Sequence, residues 1–117
     1  MSSVCDGCGK GGPLIKHSLG RDFFGGVYDR LTPASDRAPA WYCQDCSRQK
    51  HMQRDYRSIS EALDRLMADE ASPLSDAGEA ARAAARLAEI AKGVGSGLLE
   101  KAEVEALRAR LKECGLA

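Results

Sequence analysis

Two Cys-x2-Cys pairs, Cys5 with Cys8 and Cys43 with Cys46, constrain this chain more than any other feature. A Cys-x2-Cys turn brings two thiolates onto one edge of a tetrahedron, and a second turn completes it. Cysteines could equally pair as disulfides, so compartment decides. Met1-Ser-Ser-Val lacks the charged and apolar regions of a signal peptide, and no run of about 18 apolar residues occurs. A cytoplasmic location is therefore expected, and in a reducing compartment such pairs are metal ligands. The composition agrees. The first half is crowded with Gly, Pro, Asp and Arg, whereas Leu and Ala gather after residue 59, and the whole chain of 117 residues has only two Phe, one Trp and three Tyr. A half so poor in apolar filling needs a staple to fold. One structural Zn2+ held by Cys5, Cys8, Cys43 and Cys46 is the expectation, and four sulfurs leave no open position for water or substrate.

Between Cys8 and Cys43 lie 34 residues, more than the roughly 15 to 20 of a simple ribbon. That interval has room for a hairpin and a loop. Residues 13–18 and 27–32 are the β-prone stretches, 32–39 is a polar Pro-containing loop, and Ala40-Trp41-Tyr42 reads as a short strand leading into Cys43. After Cys46 the period changes. Met52, Tyr56, Ile59, Leu63, Leu66 and Met67 recur at spacings of three and four, which predicts an amphipathic helix to about residue 69. Pro73 interrupts it. An Ala-rich helix over 74–92 follows, then breakers at Gly93, Gly95 and Gly97, then a third helix over 99–113 with Val104, Leu107, Leu111 and Cys114 on one face and Gly115 as its stop. The stripes of these two helices are narrow. They need another surface, either the first helix or a second copy of the chain.

The glycine-rich Cys5-Asp-Gly-Cys-Gly, the strands, and Trp41-Tyr-Cys-Gln-Asp-Cys46 opening a helix together resemble the treble-clef zinc finger, over residues 4–69. The resemblance implies a knuckle, a hairpin and a helix whose first turn supplies the last ligands. The fold class expected is thus α+β, mainly helical by residue count: a four-cysteine zinc-binding domain over 1–70 with a long terminal helix, then a helical hairpin over 71–117 for packing or oligomerisation. A second resemblance is to HNH-type nucleases, which use the same scaffold and would place His17 at the catalytic position. Here Lys16 stands where that pattern has an acidic residue, Ser47 where it has a second His, and no Asn precedes Cys43. His51, on the long helix, is read as a surface residue.

Formal net charge is zero, so the chain does not announce a nucleic-acid partner globally. Locally it does. Residues 1–57 hold nine Lys and Arg against six Asp and Glu, and residues 58–117 hold eight against eleven. Lys50, Arg54 and Arg57 fall on one face of the first helix, with Arg48 beside them and Lys10, Lys16 and Arg21 able to extend the surface. Such a face contacts phosphates or is a solvated helix side. Of Trp41 and Tyr42, adjacent in a strand, one is expected to pack under the metal site and the other to face outward. Phe23 and Phe24 read as a cap over the small core or an exposed aromatic tip, and Cys114 as a buried apolar residue. The reading that follows is a non-enzymatic zinc-binding regulator that contacts nucleic acid through Lys50, Arg54, Arg57, Arg48 and Lys16. A zinc-stabilised protein adaptor, or self-association through residues 74–114, is the alternative, and an HNH-like nuclease is the enzymatic one.

Overall fold

Short strands flanked by cysteines can persist only if something holds their ends, and here the two cysteine pairs bracket the sheet. A computed structural model describes residues 4–17, 23–24, 40–94 and 99–116, with backbone alone at His17 and Ala40. Strand β1 (Ile15–His17) pairs antiparallel with β2 (Ala40–Tyr42). Ile15 lies opposite Tyr42, Lys16 opposite Trp41 and His17 opposite Ala40. The stretch 27–32, expected as the partner of the first strand, lies outside the described residues, as do the loop 32–39 and Arg21. The strand that β1 does pair with is the one leading into Cys43. Ahead of β1, a bridge between Val4 and Gly11 closes a tight hairpin around the first cysteine pair.

Helix α1 (Gln44–Met67) begins directly after Cys43, whose carbonyl accepts the Ser47 N–H at 2.9 Å. Its stripe is real but narrower than the spacing suggests. Met52, Ile59, Ala62 and Leu63 are buried, Tyr56 and Leu66 are half-buried, and Met67 is 56% exposed. Met67 is the final residue of the helix, where the chain turns away: Glu70 N–H reaches Arg65 O and Asp69 N–H reaches Leu66 O, with Asp69 at φ 60°. This is a Schellman ending with aspartate in the place glycine usually takes.

Pro73 does more than stop α1. Ser72 Oγ accepts the Leu74 N–H and donates to Ala62 O at 2.6 Å, which starts a single 3-10 turn over Pro73–Ser75 and seats the fully buried Leu74. Asp76 then caps α2 (Ala77–Lys92), its Oδ1 accepting the N–H groups of Gly78 and Glu79 at 2.8 and 3.2 Å. Gly93 closes α2. Helix α3 (Lys101–Glu113) ends on Gly115 at φ 72°, with Leu116 N–H on Leu111 O and Gly115 N–H on Lys112 O, a second Schellman motif. Cys114 sits at the cap and is half-buried, because the helix has ended by then.

The chain divides into two compact units, Met1–Arg54 and Asp55–Ala117, with the division inside α1. In the second unit, Ile59, Leu63, Leu74, Leu87, Ile90, Leu107 and Leu111 form the fully buried core. The surface that the narrow stripes of α2 and α3 require comes from the second half of α1. Buried Asp55 pairs with Arg86 of α2, and Arg110 of α3 binds Asp64 and Ser60. The first unit buries far less: Cys5, Tyr42 and Met52 are its buried apolar side chains among the described residues. Among the described residues no helix is long and apolar enough to cross a membrane.

Candidate metal centre

The two cysteine pairs meet. The sulfurs of Cys5, Cys8, Cys43 and Cys46 all lie within 4.8 Å of one another, and among the described residues this is the one group of three or more His, Cys, Asp or Glu placed to hold a metal. Cys8 Sγ and Cys43 Sγ are 3.8 Å apart. A disulfide would need about 2.05 Å, whereas sulfurs about 2.3 Å from a central zinc stand about 3.8 Å apart along a tetrahedral edge. The Cys8–Cys43 separation fits an edge of a coordination shell and not a disulfide.

Local backbone explains how four sulfurs converge. Gly9, at φ 77°, lets the chain reverse after Cys8, so that Cys5 N–H reaches Lys10 O and Gly9 N–H reaches Cys5 O, both at 2.9 Å. Gly7 passes so close to the second pair that a Cβ there would lie 3.1 Å from Cys46 Sγ and 3.3 Å from the Tyr42 ring. Asp6 ties the turn to β2. Its N–H donates to Trp41 O at 2.8 Å, and its Oδ2 accepts the Trp41 N–H at 2.9 Å. Sequence reading passed over Asp6, since an aspartate inside Cys-Asp-Gly-Cys looks like an ordinary turn residue. A polar residue between paired ligands, able to reach a strand two residues before the second pair, was the available signal.

Electrostatics favour an anionic sulfur at Cys5. Cys5 is buried, which works against ionisation, but the amides of Cys8, Cys43 and Gly7 donate to its sulfur at 3.5, 3.3 and 3.3 Å and Cys46 adds a further hydrogen bond. Together they outweigh burial and bring its pKa from 9.0 down to about 6. Cys46 goes the other way: burial, and then the sulfurs of Cys43, Cys5 and Cys8, push it up to about 12. One thiolate is easily accommodated and several are not, unless a cation sits among them. Cys46 lies in the first turn of α1, whose N-terminal dipole also favours negative charge. Soft sulfur donors in a closed tetrahedral set fit Zn2+ better than a hard cation such as Mg2+.

Around the cluster, Tyr42 is buried at 8% while Trp41 is 43% exposed, the alternation expected of neighbouring strand residues. Lys50 Nζ stands 5.8 Å from the centre of the Tyr42 ring. Arg48 and Lys16 are exposed, and Lys50, Arg54 and Arg57 are half-buried with partners of their own. The helix thus carries the basic residues at the expected spacing, but as side chains already engaged rather than as a bare cationic face. Ser47, at the second-His position of the HNH pattern, is buried and supplies a hydroxyl in place of an imidazole. His51 is half-buried on α1 and engaged, not simply a surface residue. The side chain of His17 lies outside what is described. Phe23 and Phe24 are half-buried and meet edge to face, centroids 4.9 Å apart.

No family model matches the chain, and no curated protein or solved structure matches it.

Proposed function

We propose that this chain is a zinc-stabilised binding protein with no catalytic chemistry at its metal, built on a small treble-clef finger and using the start of α1 to contact nucleic acid. The observation that carries the zinc reading is the convergence of four cysteine sulfurs within 4.8 Å of one another, with Cys8 and Cys43 at the 3.8 Å of a tetrahedral edge. Four protein ligands close the shell, so the ion would have no site for substrate or activated water and would act by holding the knuckle, β2 and the root of α1 together. A tight turn carrying one pair, a two-stranded sheet and a helix whose first turn carries Cys46 support the treble-clef assignment. The reduced protein is expected to purify with one Zn2+, and Cys5→Ser to lose it; a wild-type chain without stoichiometric metal would overturn the reading.

Nucleic-acid contact rests on Arg48 and Lys16, which are exposed, together with Lys50, Arg54 and Arg57 along α1. Phosphate contacts make affinity fall with salt, and each lost contact lowers that dependence by about one unit. Arg54→Ala should weaken binding and reduce the salt slope by about one. Absence of a gel shift at low salt would end this reading and leave the protein-adaptor alternative.

A further inference from the structure

The second residue of β2 is placed for use rather than for packing. Trp41 is the chain's one tryptophan, and it lies in the unit that has least apolar filling, yet it is 43% exposed while its neighbour Tyr42 is buried. Its backbone is held firmly. Both Trp41 N–H and Trp41 O are engaged by Asp6, on the side of β2 away from β1. Lys16 and Trp41 therefore form a pair without mutual backbone hydrogen bonds, the kind in which cross-strand side chains stand closest and on the same face. Lys16 is exposed too. Ile15, also exposed, belongs to the opposite face with Tyr42. Among the described residues the Trp41 face thus offers one aromatic ring on a firmly held backbone and one adjacent cation, not the contiguous apolar patch that a protein partner uses.

We propose that this sheet face is a stacking platform for single-stranded nucleic acid, a base lying on the Trp41 ring and the adjoining phosphate meeting Lys16. The proposal rests on the nucleic-acid reading above and specifies its substrate. An indole accepts any base, because every base has a π-face, and such stacking tolerates sequence. A duplex buries those faces within its own stack, so only an unpaired strand can use the platform. The exposed Arg48, in the first turns of α1, belongs to the same unit and supplies further positive charge for a backbone.

The experiment uses the intact zinc-loaded protein and its own reporter. Oligo-dT of about 12 nucleotides and a duplex of equal length are titrated while Trp41 fluorescence is followed at low salt. The single strand should quench the emission and the duplex should not. Followed by the anisotropy of a fluorescein-labelled oligo-dT, Trp41→Ala should bind the single strand about tenfold to a hundredfold more weakly, and Trp41→Phe should recover much of the loss. Lys16→Ala should lower the salt slope by about one. Zinc content measured on every variant shows that the fold is retained. If single strand and duplex bind alike, or Trp41→Ala binds as tightly as the native chain while Arg54→Ala still weakens binding, the platform is wrong and the helix contact survives. If neither nucleic acid binds, both fail. Quenching by a protein partner with none by oligo-dT would likewise overturn the platform.

Discussion

The four clustered cysteines are not equivalent, and the difference lies in what surrounds each sulfur. Cys5 is buried and receives three backbone amides, whereas Cys8 is exposed. Gly7, which is not itself a candidate ligand, contributes to this asymmetry through its amide. An alanine at position 7 would bring its Cβ within 3.1 Å of Cys46 Sγ and 3.3 Å of Cys46 Cβ and the Tyr42 ring. Neither a ligand sulfur nor a buried ring can yield freely, so Gly7→Ala should displace Cys46 and weaken zinc binding about 10- to 100-fold, the usual effect of disturbing a metal site's supporting shell. Gly9→Ala is the control. Its φ of 77° makes alanine strained, but the space around it is open, so it should lower stability by about 1 kcal/mol with a smaller effect on affinity. Competition with a chromophoric chelator measures both, and equal affinities for Gly7→Ala and the native chain would refute the argument.

At the scale of elements, helix ends decide more than helix interiors. The ending of α1 places Asp69 at φ 60°, and the ending of α3 places Gly115 at φ 72°. The same motif is thus built once with strain and once without. Asp69→Gly should raise stability by about 0.5 to 1 kcal/mol, the relief of a left-handed side chain exceeding the added freedom of the unfolded chain. Asp76→Ala removes the acceptor for Gly78 and Glu79 N–H and should cost about 1 kcal/mol. Urea denaturation separates the two signs. Tyr56 adds a pH dependence. Burial first, then Glu103, raises its pKa, so the fold prefers the neutral phenol. Its stabilisation is complete below the unfolded value near pH 10 and is lost as pH rises beyond it. Between about pH 8 and about pH 11, Tyr56→Phe should lose less stability than the native chain. What could be read from the residues follows the same division. Cysteine spacing and the three-four period of Ile59 and Leu63 are local signals, and they foretold the metal cluster and the core of α1. That Ala40–Tyr42 pairs with β1 was not legible, because β-propensity marks a strand without naming its partner. Asp6 escaped for a related reason: its bonds run to a strand 35 positions away.

Over the whole chain, two units draw their stability from different sources. Asp55–Ala117 buries seven large apolar side chains completely, from all three helices and the Leu74 turn, and reinforces them with Asp55–Arg86 and Arg110–Asp64. Among its described residues Met1–Arg54 has a two-stranded sheet of three-residue strands, and a sheet so small does not hold without help. Burial is expected to sustain the second unit alone, while the first is expected to depend on a metal at its four cysteines. Because the division falls within α1, zinc removal should unravel that helix from its N-terminus only as far as the core around Ile59 reaches. Chelation under reducing conditions should therefore abolish amide-exchange protection at β1, β2 and the first turns of α1, and leave α2, α3 and the segment from Ile59 to Leu63 protected. Circular dichroism should register a partial and reversible loss of helix. Protection that vanishes everywhere together would show that metal and core form one cooperative system, and protection that survives in β2 would show that the knuckle holds by its hydrogen bonds alone.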